Sequence, residues 1–97
     1  MDFKLVEYYR WGFNMNSVSV FQVILYKNRK LYCKQSSSYI TLADIYEMHR
    51  NSLSLSISEH KSSKDITKDI IIKSIMHFGP NYETKIKLLS KVMGHQI

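Results

Sequence analysis

Residues 18–35 join the most apolar run of the sequence to its densest cluster of positive charge. From residue 21 to residue 26, apolar side chains reach both faces of a period-two pattern, which is typical of a strand that lies centrally in its sheet or under a helix. The basic tetrapeptide at residues 27–30 predicts a turn, and residues 30–36 predict a strand that leaves it. The fold is therefore expected to contain a β-hairpin with a positively charged turn.

The sequence before this hairpin also has a strand pattern. Residues 3–13 alternate between apolar and polar positions and are rich in aromatic residues, which predicts a first strand. Asn14 and Asn16 tolerate turn geometry, so a second strand at residues 17–26 follows. With the third strand at residues 30–36, the N-terminal half is predicted to form an antiparallel β-meander with the second strand in the middle.

The C-terminal half carries helical patterns at residues 42–50, 63–78 and 82–93. The middle one is apolar around most of its circumference, which predicts a buried central helix. Residues 52–58 alternate leucine or isoleucine with serine, and this pattern favours a fourth strand. Two of its apolar positions also continue the preceding helical stripe, so a helix there stays an alternative.

Candidate N-cap residues precede each helical pattern. Thr41 is followed three residues later by Asp44, which resembles a capping box, and Ser62 and Asn81 stand before the other two helices. The predicted fold class is α+β, an antiparallel sheet of three or four strands with two or three helices packed on one face. No change of composition marks a second domain, so residues 1–97 are expected to form a single domain.

Positive charge is concentrated in the predicted sheet. The formal net charge is +6, which favours an anionic partner such as nucleic acid or an acidic protein surface, and no Asp or Glu occurs in residues 8–43. The alternative is that the lysines are a solvated protection against aggregation of the sheet. The candidate binding residues are a basic set and an aromatic set: Arg10, Lys27, Arg29, Lys30 and Lys34, with Tyr8, Trp11, Tyr26 and Tyr32.

Residue spacings argue against several kinds of site. Cys33 is the single cysteine, so no disulfide can form within the chain. The histidines show no metal-binding spacing and the glycines form no phosphate-binding loop, so no metal and no cofactor is expected. No stretch resembles a signal peptide or is long and apolar enough to span a bilayer, so we expect a cytoplasmic protein.

These features favour a small non-enzymatic binding protein that docks a macromolecular partner through its sheet and basic hairpin. A surplus of aromatic residues favours a protein partner, as for an inhibitor, immunity or adaptor protein. Direct binding of RNA or DNA is the alternative, because projecting cations suit phosphate contacts. A small metal-independent ribonuclease is third, although the histidines define no catalytic constellation. An exposed sheet edge also makes a homodimer an expectation.

Overall fold

A computed structural model describes residues 20–93 of the protein. Within this range a four-stranded sheet and three helices occur in the order β1 Phe21–Leu25, β2 Leu31–Cys33, β3 Ser38–Ile40, α1 Leu42–Arg50, β4 Leu55–Glu59, α2 Thr67–Phe78 and α3 Tyr82–Val92. The predicted α+β class is confirmed. The strand predicted at residues 3–13, and the start of the one predicted at residues 17–26, lie outside the described residues.

The four strands lie in the order β3-β2-β1-β4. The β1–β2 and β2–β3 pairs are antiparallel, whereas β4 pairs parallel to β1. The sheet is therefore mixed rather than wholly antiparallel, and β4 is the strand that differs from the expectation. A parallel neighbour needs a crossover connection. Helix α1 supplies this crossover, because it returns the chain from the end of β3 to the end of the sheet where β1 begins.

Two predicted strands have different bounds in the structure. The prediction of a strand as far as residue 36 is wrong, because β2 ends at Cys33 and residues 34–37 form a turn. In this turn the Ser37 N–H donates to the Lys34 carbonyl at 3.2 Å, and Ser37 has a left-handed φ of 51°. The strand interpretation of residues 52–58 is confirmed by β4.

The helices cover one face of the sheet. Val23 lies between Cys33 on β2 and Ile57 on β4, so the core extends across these three strands. Helix α2 is central in the helical layer, because it contacts α1, α3 and β4. The opposite face carries the alternate residues, among them Tyr32 and Tyr39. The buried strand residues on the core face are Phe21, Val23, Leu31, Cys33, Ile40 and Ile57.

Helix α2 begins at Thr67 rather than at residue 63, so its predicted start is wrong. Ser62 does not cap this helix, because its hydroxyl donates to the Glu59 carboxylate. The chain before α2 instead follows the outer edge of β4, where the Ile66 N–H donates to the Ile57 carbonyl at 2.8 Å. Pairing with the strand therefore delays the helix.

Helices α2 and α3 bury only part of their apolar side chains. In α2 the buried residues include Ile71 and Ile75, but Met76 is 55% exposed, so the expectation of a helix buried on nearly all sides is wrong. In α3 the buried residue is Leu88, whereas Tyr82 is 78% exposed. Both helices leave apolar side chains outside because α3 packs mainly on α2 and not on the sheet.

Side-chain caps fix the starts of α1 and α3. The Asp44 N–H donates to the Thr41 hydroxyl at 3.2 Å, and the Thr41 N–H donates to the Asp44 carboxylate at 2.8 Å. This reciprocal pair confirms the predicted capping box. The Asn81 side chain accepts a hydrogen bond from the Thr84 N–H at 2.9 Å, which confirms it as the N-cap of α3.

His49 joins the end of α1 to α3. Its Nε2 lies 3.1 Å from the Leu88 carbonyl, and the neutral imidazole donates there because a carbonyl can only accept. Lys91 Nζ donates to the His49 carbonyl at 3.3 Å and to the Ser52 hydroxyl at 2.9 Å. Burial lowers the pKa of His49; the Leu88 hydrogen bond opposes this shift and the Lys91 charge reinforces it.

We expect the free energy of unfolding to fall as the pH drops below about 6.5, the ordinary pKa of histidine. The folded pKa of His49 is lowered, so the unfolded chain takes up the proton first and gains stability from it. The slope of the free energy of unfolding against pH is at most about 1.4 kcal/mol per pH unit for one titrating group. Urea unfolding of the wild type and of His49→Gln at several values between about pH 5 and pH 8 measures this slope.

Glutamine keeps a donor for the Leu88 carbonyl but does not titrate, so His49→Gln should lose this part of the pH dependence. The matched control is His60→Gln, which makes the same substitution at an exposed histidine outside the contact between α1 and α3. An equal slope in the wild type and His49→Gln would assign the pH dependence to other groups.

Candidate nucleic-acid interface

The basic turn at residues 27–30 is a hairpin loop with defined geometry. The Tyr26 N–H donates to the Lys30 carbonyl at 3.0 Å, and the Arg29 N–H donates to the Tyr26 carbonyl at 2.9 Å. The Asn28 side chain accepts a hydrogen bond from the Lys30 N–H at 3.1 Å. Arg29 has a φ of 69°, so this is the three-residue hairpin loop that ends in a left-handed residue. The cations of the loop therefore project from a backbone that these hydrogen bonds define.

Arg29 occupies a backbone position that favours glycine. A residue with a β-carbon loses about 1 kcal/mol or more in the left-handed region, whereas glycine loses nothing there. Arg29 is exposed, and its side chain is not part of the core. Unfavourable backbone conformations are concentrated at functional sites. Arg29 therefore lowers the stability of the fold relative to a glycine at the same position.

Arg29→Gly is expected to raise the free energy of unfolding by about 0.5–1 kcal/mol, because it relieves the left-handed strain. Urea unfolding followed by circular dichroism measures the change. Lys27→Gly is the matched control, since it removes the same charge from the same loop at a residue without a positive φ. That control should be neutral or destabilising, and an equal gain in both variants would contradict the strain argument.

A second basic loop lies beside this hairpin. Residues 60–64 follow β4, and the Ser63 N–H donates to the Glu59 carbonyl at 2.9 Å within that loop. The His60 N–H donates to the Leu25 carbonyl at 2.9 Å, and the rings of Tyr26 and His60 are 4.5 Å apart between centroids. The parallel pairing of β1 with β4 is the reason, because it brings the carboxyl ends of both strands to one end of the sheet.

The two loops place exposed cations at one end of the sheet, which we call the basic end: Lys27, Arg29, Lys30, Lys61 and Lys64. Within residues 20–93 the ion pair is Arg50–Glu47 at 2.7 Å, so no cation of the basic end forms an ion pair with a described carboxylate. Glu59 and Asp65 flank the second loop, but the cations of the basic end outnumber these two carboxylates. The basic end therefore attracts anions.

Tyrosines on the face of the sheet opposite the helices adjoin the basic end. The rings of Tyr32 and Tyr39 meet edge to face with centroids 5.3 Å apart, and Lys30 Nζ lies 5.7 Å from the centroid of the Tyr39 ring. Tyr26 and Tyr32 are half-buried, whereas Tyr39 is 53% exposed. The predicted pair Tyr26 and Tyr32 is thus present at the site, and Tyr39 is the more accessible ring.

The structure does not bring all predicted site residues together. Lys34 follows Cys33 at the opposite end of β2 from Lys30, so it lies away from the basic end. Its N–H donates to the Gln22 carbonyl at 2.9 Å, near the start of β1. The candidates Tyr8, Arg10 and Trp11 lie outside the described residues.

Sequence reasoning missed Lys61 and Lys64. Three strands and a helix (β2, β3, α1 and β4) separate these lysines from the hairpin turn in the sequence, so no local pattern links them to it. The signal that could have found them is the parallel placement of β4 beside β1.

A protein-family model described as "PHB/PHA accumulation regulator DNA-binding domain" matches residues 23–79, which is more than half of the chain. This chain belongs to that family. The matched range runs from β1 to the end of α2 and includes both loops of the basic end. No curated protein and no solved structure has a significant match to the chain.

Family membership changes the order of the functional hypotheses. A regulator's DNA-binding domain suggests a nucleic-acid partner, which supports the alternative drawn from the sequence more than the preferred protein partner. The inhibitor or immunity reading gains no support from the comparisons. The family description also points to a non-enzymatic protein.

Between residues 20 and 93, no group of three or more His, Cys, Asp or Glu side chains could hold a metal ion. No helix in the same range is long and apolar enough to cross a membrane.

Proposed function

We propose that this protein is a DNA-binding regulator of PHB/PHA accumulation that contacts the phosphates of duplex DNA through its basic end. The family match supports DNA as the partner. The basic end is chosen as the DNA-binding surface because two basic loops lie together at the carboxyl ends of β1 and β4. A DNA-binding regulator acts where the DNA is, which agrees with the cytoplasmic expectation.

The two loops suit phosphate contacts for a physical reason. Lysine and arginine side chains that displace condensed counterions from DNA provide affinity that is independent of sequence and sensitive to salt. Arg29 adds a planar guanidinium, which can contact a phosphate or the O6 and N7 acceptors of guanine with two hydrogen bonds. Arg29 is thus the candidate for base recognition, and the lysines are candidates for positioning on the backbone.

Tyr26 and Tyr32 are proposed to support the basic end rather than to stack on bases. Both are half-buried, and Tyr26 contacts His60 of the second loop while Tyr32 contacts Tyr39. Their hydroxyl groups can donate to phosphates. Homodimer formation stays a prediction.

The test is a titration of a labelled DNA duplex with the wild-type protein at about 50 and 200 mM salt. Fluorescence anisotropy of the duplex reports the binding. If all five cations of the basic end contact phosphates, the association constant should fall about 500-fold between these concentrations. Absence of binding at the lower concentration would overturn the proposal. The same titration with single-stranded RNA, followed by a gel of that RNA, separates RNA binding and ribonuclease activity from DNA binding.

A further inference from the structure

A groove of about 560 Å³ lies next to the hairpin loop, between the end of β1–β2, the junction of β3 with α1, and one side of α2. Its floor is apolar and includes Leu25, Leu31, Ile40, Leu42 and Ile70. Binding sites for small molecules usually have volumes of about 300–1,000 Å³, mostly apolar walls and a few polar groups. The groove has the size and lining of such a site.

Three cations from two separate elements surround this apolar floor. Arg29 and Lys30 come from the hairpin loop, and Lys73 comes from the middle of α2. All three are exposed, and none forms an ion pair with a described residue. Among residues 20–93, no Asp or Glu lines the groove. Asp69 lies one turn before Lys73 on α2 but forms no ion pair with it, so the rim itself is positively charged.

The nearest structural carboxylate on α1 is already engaged. Asp44 is buried in the first turn of the helix, where it accepts hydrogen bonds from the N–H and the hydroxyl of Thr41. Thr41 itself lines the groove, but its hydroxyl both donates to the Asp44 carboxylate and accepts from the Asp44 N–H, so it is already engaged in the cap. The capping arrangement leaves the three rim cations available for an external anion.

The shape and charge together define the ligand more narrowly than charge alone. DNA phosphates could reach the rim, but the deoxyribose offers only small C–H surfaces to the apolar floor, where Leu42 and Ile70 are half-buried. A molecule that combines a phosphate with an apolar group satisfies both parts of the groove. The exposed ring of Tyr39, which also lines the groove, provides a wall for a planar group.

We propose that this groove binds a small, soluble, phosphorylated organic anion. Its phosphate group contacts Arg29, Lys30 and Lys73, and its apolar part lies on the floor between Ile40 and Ile70. Arginine and lysine are the residues that bind phosphate through charge-assisted hydrogen bonds, and arginine does so with two parallel bonds.

Occupation of the groove also has a consequence for DNA binding, which rests on the proposed function. Arg29 and Lys30 belong both to the groove rim and to the basic end, so the anion and DNA cannot use them at the same time. Lys73 belongs to the groove alone. The protein would thus release DNA when the phosphorylated anion is abundant.

The probe is 1-naphthyl phosphate, which joins a planar apolar group to a dianionic phosphate. Its binding is measured by isothermal titration calorimetry in the absence of DNA, alongside inorganic phosphate and 1-naphthol as its separate halves. We expect 1-naphthyl phosphate to bind at least about tenfold more tightly than either half. Lys73→Met should weaken its binding about tenfold, because one charge-assisted contact is lost.

Lys87→Met is the matched control, since Lys87 is an exposed lysine of α3 outside the groove and should leave binding unchanged. Equal affinities for 1-naphthyl phosphate and inorganic phosphate would show that the cations bind phosphate without help from the apolar floor. This result would overturn the proposal. Equal affinities for 1-naphthyl phosphate and 1-naphthol would also overturn it. Cosedimentation with phosphatidic acid vesicles that Lys73→Met abolishes would overturn the commitment to a soluble anion.

A competition experiment then separates this proposal from the proposed function. Labelled duplex bound to the wild type is titrated with 1-naphthyl phosphate, and the same titration is made with Lys73→Met. Displacement that needs a higher probe concentration in the variant supports competition at the groove. If duplex does not bind at all, the direct calorimetric result still decides whether the groove binds the phosphate ester.

Discussion

Replacing Arg29 and Lys30 together by glutamate is expected to weaken the binding of duplex DNA at least about 100-fold. The double variant removes two cations from the basic end and places two carboxylates against the phosphates. The formal net charge falls from +6 to +2, because each reversal changes it by two units. The slope of the logarithm of affinity against that of salt concentration should decrease in magnitude by about two. Fluorescence anisotropy at several salt concentrations measures both effects.

The matched control is Lys68→Glu with Lys87→Glu, which makes the same change of net charge. Lys68 lies in the first turn of α2 and Lys87 lies on α3, both exposed and outside the two basic loops. Because screening limits long-range effects, this control should lose no more than a few-fold in affinity. Equal losses in the two double variants would mean that DNA responds to total charge, which contradicts a localised interface at the basic end.

The second large effect is expected on stability, from Ile57→Ala. Ile57 is fully buried in the middle of β4, where it pairs with Val23 in the parallel register. The Ile57 N–H donates to the Thr67 hydroxyl at 2.8 Å, so the same residue anchors the start of α2 to the edge of the sheet. Truncation of a buried isoleucine to alanine loses about 2–5 kcal/mol through lost burial and the cavity left behind.

Small domains are stable by only about 5–15 kcal/mol, so Ile57→Ala is expected to lower the midpoint of urea unfolding substantially. Ser56→Ala is the control, because Ser56 is the exposed neighbour on the opposite face of the same strand. This control should change the free energy of unfolding by less than about 0.5 kcal/mol. A loss below about 1 kcal/mol in Ile57→Ala would show that β4 contributes little to the core.

Local signals in the sequence predicted the elements that are stabilised by nearby residues. The capping box of Thr41 and Asp44 places α1 at Leu42–Arg50, where the helical pattern predicted it. The basic turn between two apolar strands predicted the hairpin that carries Lys27, Arg29 and Lys30. These features depend on hydrogen bonds and side-chain contacts between residues that are close in sequence, so a pattern over a few positions is enough to find them.

The predicted bounds were wrong at two places where backbone hydrogen bonds outside the predicted element end it early or delay its start. The start of α2 is delayed because Ile66 donates to the Ile57 carbonyl instead of beginning a helix. The strand predicted to residue 36 ends early because residues 34–37 turn back to form β3. Helical and strand propensities are similar on both sides of such a boundary, so the sequence contains no local signal that decides it.

By itself, the sequence determined the α+β class, the α1 cap, the hairpin and the positive charge of its turn. Only the tertiary structure decided which other charges join that turn. Parallel pairing of β4 with β1 brings Lys61 and Lys64 to the same end of the sheet as Arg29, and the packing of α2 brings Lys73 to the groove rim. These placements depend on which strand pairs with β1 and on which face of a helix packs inward. Such choices depend on the summed burial of side chains that are far apart in the chain, so no short segment encodes them.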